Sequence, residues 1–132
     1  MRAEFEKPDE TTLAEMRRLY TETVVDYASN PRNAGSMPNP DGFACITSPG
    51  GDIMEMWLRV RDDRILRATF WTNACAATIA AGSMTAELAR GKAVIDALRI
   101  TQQDVLNALG GLPEGNHHCA LLAADTLKAA IR

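Results

Sequence analysis

Four side chains of this chain have the chemistry of metal ligands or of sulfur nucleophiles: Asp52, Cys75, His118 and Cys119. Thiolate, imidazole and carboxylate groups bind zinc and related metals, and thiolates hold iron-sulfur clusters. No two of the four have the short spacing of a compact zinc motif, so they form one site only if the fold brings three distant segments together. For each cysteine taken alone, a buried and inert thiol is the competing interpretation.

The predicted local structure favours reactive thiols at both cysteine positions. Cys75 lies where a predicted strand gives way to a helix, and Cys119 lies near the start of the last predicted helix. The positive end of the helix dipole favours a thiolate there, so we expect a lowered pKa for both. Asp52 follows a Pro-Gly-Gly turn that lets the backbone approach a bound group. Adjacent helical residues diverge by about 100°, so His118 and Cys119 reach one metal only outside regular helix.

Length and composition predict a single domain over residues 1–132 with 46% hydrophobic residues. The net charge of −3 and the pI of about 5.3 leave no broad basic face, so we expect no nucleic-acid partner. No segment approaches the roughly 20 apolar residues that span a bilayer, and the first residues lack the apolar core of a secretory signal, so we expect no membrane contact and a cytoplasmic location. Three cysteines, an odd number, favour reduced thiols or metal ligands over disulfides.

The N-terminal part of the chain has the pattern of a helix. Apolar side chains recur at spacings of three and four residues, and Thr12 with Glu15 matches a capping box at the start. Asn30-Pro31 predicts the end of this helix, because proline disfavours helical geometry in the residue before it. Residues 30–42 are rich in proline, glycine and asparagine and predict an extended connection. The residues of the apolar stripe are Leu13, Met16, Tyr20, Val24 and Tyr27.

The middle and C-terminal parts predict an α+β domain. Residues 54–60 and 65–70 have a period of two, which indicates two strands with one buried and one solvated face, joined by a turn at residues 62–64. A preceding strand over residues 43–47, joined by a turn at residues 48–51, would complete a three-stranded antiparallel meander. An alanine-rich helix follows over residues 76–90, a short helix begins at Thr101 and ends at Gly110, and a last helix begins near Asn116. We therefore predict a three-stranded antiparallel sheet covered on one face by helices, with an N-terminal helix preceding the sheet.

Several motifs in one order resemble the NifU-like N-terminal family, the iron-sulfur cluster assembly scaffolds also called IscU-type proteins. Residues 26–35, with the sequence DYASNPRNAG, resemble the family signature Asp-His-Tyr-x-Asn-Pro-Arg-Asn-x-Gly. The similarity continues through GDIM at 51–54, the segment from Cys75 through IAAGSM at 79–84, Gly91-Lys92 and HCALLA at 118–123. It covers nearly the whole chain after Leu13.

The resemblance implies a scaffold that takes sulfur from a cysteine desulfurase, builds a transient [2Fe-2S] cluster and passes it to acceptor proteins, without being an enzyme. Family members place three cysteines, an aspartate and a histidine around the cluster. Four of these positions match Asp52, Cys75, His118 and Cys119, whereas Gly50 stands at the position of the first family cysteine. Since clusters are held mainly by thiolates, we expect a more labile cluster than three cysteines would hold.

The missing thiolate leaves alternatives open. Cys45 is a substitute donor, although its distance along the strand predicts that it lies too far away. A cluster shared between the two chains of a homodimer is another solution. The competing function is that of a cluster-free paralogue, either a sulfur acceptor that binds zinc or a desulfurase regulator. An enzyme using a Cys119–His118 dyad is a weaker alternative, and in the last alternative the four residues are remnants of an inherited core.

Overall fold

A computed structural model describes residues 5 and 7–132 and shows an α+β fold. The order of elements confirms the predicted class, with strands before most of the helices and helical structure ahead of the sheet. None of the helices within the described residues is long and apolar enough to cross a bilayer. The elements are α1 (Glu10–Leu19), α2 (Glu22–Ser29), β1 (Gly42–Thr47), β2 (Ile53–Arg61), β3 (Arg64–Thr72), α3 (Ala76–Ala89), α4 (Val94–Ala97), α5 (Gln102–Leu109), a 3₁₀ turn (Glu114–Asn116) and α6 (His117–Ile131).

The three strands form the predicted antiparallel meander in the order β1-β2-β3. The tight turn between β2 and β3 places Asp62 and Asp63 at φ values of 53° and 60°, and Arg61 pairs with Arg64 across it. Positive φ at both central residues matches the right-handed twist of the flanking strands, and aspartate tolerates this conformation better than most residues. The turn predicted at residues 62–64 is thus confirmed.

Helices α3 and α6 cover one face of the sheet and form the core with it. Nearly every residue of α3 is buried, which its alanine-rich composition allows because small side chains let a helix approach closely. A Cβ atom built on Gly82 would lie 2.6 Å from the ring of Phe70, so this glycine is required where α3 crosses β3. The predicted helix ends follow the sequence signals, with positive φ at Gly91 and Gly110 and a complete capping box at Thr101 and Asp104.

The single N-terminal helix predicted from the apolar stripe is wrong, because the chain forms two helices with a break at Tyr20 and Thr21. The Thr21 hydroxyl accepts a hydrogen bond from the N–H of Val24 and donates one of 2.6 Å to the carbonyl of Leu109. This hydroxyl therefore caps α2 and ties it to α5. The predicted capping box at Thr12 is also wrong, because Asp9, three residues earlier, caps α1 by accepting from the N–H of Thr12.

The outer face of the sheet, away from the helices, is less solvated than predicted. Trp57 and Thr69 on this face are buried, and so is Met37 in the connection before β1. The guanidinium of Arg59 donates to the carbonyls of Pro38 and Asn39 at 2.7 and 2.6 Å, so the connection crosses this face. The alternating pattern predicted the strands correctly but could not indicate a loop that packs on them.

Backbone segments from two loops bond to the free edge of β3. The N–H of Phe70 donates to the carbonyl of Asn33 at 2.9 Å, and the N–H of Gly35 donates back to the carbonyl of Phe70. Near the other end of β3, the N–H of Ile65 donates to the carbonyl of Lys92 at 2.9 Å, and the N–H of Gly91 donates to the carbonyl of Ile65 at 2.7 Å. Residues 30–42 contain no helix, as predicted, and this segment connects the edge of β3 to the start of β1.

Ion-pair and hydrogen-bond contacts fix the signature segment 26–35 against α3. The carboxylate of Asp26 lies 2.8 Å from the guanidinium of Arg32, which also lies 4.2 Å from the centre of the Tyr27 ring. The backbone N–H of Arg32 donates to the hydroxyl of Ser83, and this hydroxyl donates to the carbonyl of Arg32, both at 2.8 Å. The motif thus holds the start of the long connection on the helix that begins at Cys75.

Candidate metal centre

Asp52 is positioned by the turn between β1 and β2. The backbone N–H of Asp52 donates to the Ser48 hydroxyl at 3.2 Å, and the N–H of Ser48 donates to the carbonyl of Asp52 at 2.7 Å. Gly51 has a φ of 91°, which other residues adopt only at a cost. The Asp52 side chain stays about one-third exposed, at 34%. The turn therefore presents a carboxylate at the surface, at the end of the sheet where β2 begins.

The two cysteines lie at the N-terminal ends of α3 and α6, as predicted. Cys75 is the residue that precedes the first turn of α3, and its carbonyl accepts from the N–H groups of Thr78 and Ile79 at 3.0 Å. Cys119 is the third residue of α6 and is fully buried, whereas Cys75 is exposed. His118 also lies in regular helix, contrary to the condition expected for a shared metal.

The structure nevertheless brings the four predicted side chains close together. The Nε2 atom of His118 lies 3.7 Å from the Sγ atom of Cys119 and 3.9 Å from the Oδ2 atom of Asp52. The imidazole therefore turns back over the first turn of its own helix. The hydroxyl of Thr78 lies 3.1 Å from the sulfur of Cys119 and 3.8 Å from the sulfur of Cys75. A continuous series of polar contacts thus connects Asp52, His118, Cys119 and Cys75.

The solvent exposure of these side chains differs from one part of the cluster to another. Cys119 is fully buried at its base, and the side chains of Asp52 and His118 are 34% and 56% exposed at its rim. As they stand, no three His, Cys, Asp or Glu side chains within residues 5 and 7–132 are arranged tightly enough to hold a metal ion.

The two thiols differ strongly in acidity. Hydrogen bonding with Cys119 lowers the pKa of Cys75 to about 5, and the backbone N–H and the hydroxyl of Thr78 contribute in the same direction. The same hydrogen bond and burial raise the pKa of Cys119. The prediction of a lowered pKa is therefore right for Cys75 and wrong for Cys119, because two neighbouring sulfurs do not both ionise easily. The exposed thiol of Cys75 is therefore the more acidic of the pair.

Three further residues reach the thiols without having been predicted. Thr78 contacts both sulfurs, and a hydrogen bond with the Asn116 side chain acts to lower the pKa of Cys119. The pKa of Tyr20 is raised by burial and then by the charges of Cys75 and Cys119, so its hydroxyl lies near both. Sequence patterns placed Tyr20 in a helical stripe only. Tyr20 packs against the hydrophobic core, and this long-range packing is not encoded by any local signal.

Gly50, where the family resemblance leads one to expect a cysteine, has free space around it. A Cβ atom built on Gly50 would have the Ser48 hydroxyl, at 4.0 Å, as its nearest neighbour. Cys45 does not fill this role, because it is exposed on the outer face of the sheet, opposite Glu55, whereas its neighbours Ala44 and Ile46 pack on the core. The expectation that Cys45 lies away from the other two cysteines therefore agrees with its position in the strand.

A cleft in another part of the structure has none of the four candidate ligands among its lining residues. This cleft of about 520 Å³ lies beside α1 and α2, and its lining includes Lys7, Arg17, Asp26 and Ser29. Tyr20 also lines it. The cleft has charges of both signs but no thiol or imidazole among its lining residues.

The chain is similar to known proteins over most of its length. The model of the family described as the NifU-like N-terminal domain matches residues 19–132. The chain is 45% identical over 114 residues to the iron-sulfur cluster assembly scaffold protein IscU 1 of Archaeoglobus fulgidus, a match that covers 86% of this chain and 74% of that protein. It is 38% identical over 117 residues to IscU of Escherichia coli K12, covering 85% and 91%.

Solved structures show the same fold. The crystal structure of a NifU-like N-terminal protein from Brucella abortus matches with a TM-score of 0.68 at 24% identity, covering 89% of this chain and 94% of that one. A structure from Fervidobacterium islandicum matches with a TM-score of 0.69 at 20% identity. The arrangement of two N-terminal helices, a three-stranded sheet and covering helices is therefore shared with these proteins.

Proposed function

Because this chain belongs to the family of NifU-like N-terminal domains, we propose that it is an iron-sulfur cluster assembly scaffold. Its cargo is a transient [2Fe-2S] cluster, built from iron and from sulfur supplied by a cysteine desulfurase and then passed to acceptor proteins. The proposed ligands are Asp52, Cys75, His118 and Cys119. The chain acts by binding and release, and not by turnover of a substrate.

The observation that supports this proposal most directly is the contact series from Asp52 through His118 and Cys119 to Cys75. These residues come from three segments. The distances between neighbouring polar atoms are 3.9, 3.7, 3.1 and 3.8 Å, and the Thr78 hydroxyl connects the two sulfurs. Two thiols, an imidazole and a carboxylate supply four donors to one locality. Thiolate, imidazole and carboxylate groups are the donors that zinc sites use, and thiolates and imidazoles hold iron-sulfur clusters.

The acidity of the two thiols fits a division of labour. Cys75 is exposed and has a pKa of about 5, so it is a thiolate at neutral pH and accessible to a protein that delivers sulfur. Cys119 is buried with a raised pKa and loses its proton when a metal binds, because metal ligands must be deprotonated. Cys75 is therefore the proposed point of sulfur entry, and Cys119 completes the site from below.

The test is anaerobic reconstitution with ferric iron and sulfide, the oxidation states that an oxidised [2Fe-2S] cluster contains, followed by removal of unbound ions. Bound iron, acid-labile sulfide and visible charge-transfer absorption should appear in the wild-type protein and should be strongly reduced in Cys75→Ser and Cys119→Ser. The matched control is Cys45→Ser, which removes a thiol on the other face of the sheet and should bind as the wild type does. A colourless wild-type product without bound iron would contradict the proposal.

A second candidate function follows from Gly50. With glycine at this position the site has two thiols, an imidazole and a carboxylate, which is also a suitable tetrahedral set for zinc. Loss of a thiolate matters less to zinc than to a cluster. A cluster-free paralogue that binds zinc and either accepts sulfur or regulates the desulfurase is therefore the alternative. One tightly held zinc per chain in protein purified without added iron, and no cluster after reconstitution, would favour it.

Two remaining alternatives differ in their support. A catalytic Cys119–His118 dyad is disfavoured, because Cys119 is fully buried and its raised pKa keeps it a thiol, which is a poor nucleophile. A cluster shared by two chains remains a proposal, because Cys75 is exposed and accessible to a second chain. Light scattering of the reconstituted protein would then show two chains per cluster.

A further inference from the structure

Thr78 contacts the sulfur atoms of both cysteines. Its hydroxyl donates to the Sγ atom of Cys119 at 3.1 Å and lies 3.8 Å from the Sγ atom of Cys75. Thr78 is fully buried at the packed contact between α3 and α6. It follows Cys75 by three residues, so one turn of helix separates the two Cα atoms while the Cys119 sulfur comes from the other helix.

This contact is unusual for a threonine in a helix. A buried threonine hydroxyl commonly donates to a carbonyl one turn earlier, as Thr126 does to Leu122 at 2.7 Å in α6. Thr78 lies in the first turn of α3, and the residue four positions earlier is outside the helix. Its hydroxyl therefore turns across the helix contact to a sulfur atom, which is only a weak acceptor when it is a thiol.

We propose that Thr78 is a positioning residue for the two thiol ligands. Its hydrogen bond holds the Cys119 sulfur in the rotamer that faces Cys75, and the same hydroxyl lies 3.8 Å from the Cys75 sulfur, so that both sulfurs point into one locality. This inference rests on the proposed function, because it assigns the orientation of the ligands named there. A chain with glycine at position 50 has two thiols at this site, so their mutual orientation matters more than in a site with three.

Groups that hydrogen-bond metal ligands commonly change metal affinity when they are removed. Their loss lowers affinity by about 10- to 100-fold, because the ligands lose their fixed orientation. Valine has the shape of threonine without the donor, and serine keeps the donor without the methyl group. Replacement of Thr78 by these two residues therefore separates the hydrogen bond from the packing.

The experiment is an anaerobic titration of wild type, Thr78→Val, Thr78→Ser and Thr126→Val with Co²⁺, read from the sulfur-to-cobalt charge-transfer bands. We expect Thr78→Val to bind about 10- to 100-fold more weakly with altered bands, and Thr78→Ser to restore most of the affinity and the wild-type spectrum. Thr126→Val loses a buried hydroxyl of the same kind and should bind as wild type does. Equal affinity and spectrum for wild type and Thr78→Val would overturn the proposal.

A measurement without metal separates this inference from the proposed function. A hydroxyl proton held in a buried hydrogen bond exchanges slowly, so NMR should show the Thr78 hydroxyl proton with a nuclear Overhauser contact to the β protons of Cys119. If wild type binds no cobalt but this contact is present, the proposed ligand set fails while the positioning of the sulfur holds. If the proton exchanges too rapidly to be seen, the positioning role is wrong whatever the metal result, including the case in which Thr78→Val does not fold.

Discussion

Restoring a thiol at position 50 tests the role of the missing ligand directly. The φ of Gly50 lies outside the left-handed region, and a Cβ atom there would meet nothing closer than the Ser48 hydroxyl at 4.0 Å. Gly50→Cys is therefore free of strain, and by restricting the unfolded chain it should stabilise the fold by about 0.4–1 kcal/mol. A domain of this size should then melt up to roughly 4 °C higher.

Gly51→Cys is the matched control, since it adds the same thiol one residue later. The φ of Gly51 is 91°, which a cysteine adopts only with a penalty of about 1–2 kcal/mol. Both variants restrict the unfolded chain alike, so they should differ by this penalty of about 1–2 kcal/mol in the free energy of unfolding, measured by urea denaturation. The comparison separates the effect of thiol placement from that of adding any cysteine to the turn.

The functional readout is the rate of cluster loss after reconstitution, followed by the decay of visible absorption in the presence of an iron chelator. A thiolate at position 50 should slow this loss by at least about tenfold relative to wild type, which corresponds to about 1.4 kcal/mol. Gly51→Cys should not slow it. If Gly50→Cys folds as stably as expected but loses iron and sulfide as fast as wild type does, then Gly50 does not mark a missing ligand and the inferred geometry of the site is wrong.

Three further predictions concern acidity and stability. The alkylation rate of Cys75 should rise with pH with a midpoint of about 5, because the thiolate is the reactive form, and Cys119→Ala should raise this midpoint by removing the main hydrogen bond. Thr21→Val should destabilise the protein by about 2 kcal/mol in urea denaturation, because it removes both the cap of α2 and the bond to the end of α5. Gly82→Ala should destabilise it by about 1–3 kcal/mol and lower the melting temperature, because the added methyl group would lie against the ring of Phe70.

Each of these predictions has a control within the chain. Alkylation is measured in a Cys45→Ser background, so that Cys75 is the one exposed thiol among the described residues; a midpoint near the ordinary value of a free thiol would refute the assigned hydrogen bond. Thr11→Val alters an exposed threonine of α1, the helix that Asp9 caps, and should change stability little. Gly115→Ala adds a methyl group with no heavy atom within 4 Å, so equal losses for it and Gly82→Ala would refute the packing argument.

Much of the fold could be predicted from local patterns. The period-two alternation predicted β2 and β3, and Gly91 and Gly110 predicted helix ends because glycine adopts positive φ easily. The break at Thr21 could not be predicted, because the carbonyl that its hydroxyl bonds belongs to Leu109, 88 residues later. Burial of Trp57 also depends on a segment distant in sequence. Local signals therefore predicted the helices and strands, whereas long-range contacts determine where they break and how they pack.

The candidate site was likewise predictable only in part. The types and positions of Cys75 and Cys119 were visible in the sequence, and the family resemblance supplied the expectation that they converge. Their opposite acidities were not predictable, because these depend on a hydrogen bond between two helices and on the burial of one sulfur. Thr78 gave no signal at all, since a threonine in an alanine-rich helix is ordinary until the partner helix is in place.

The loop bonds along β3 have a consequence for association between molecules. An edge strand with free N–H and C=O groups is a template on which another polypeptide can add a strand, and this is a common route to aggregation. Here the groups of Ile65 and Phe70 that would offer such a template already bond to backbone of the same chain. A strand from another molecule would first have to displace these loops. This edge of the sheet is therefore protected against uncontrolled self-association.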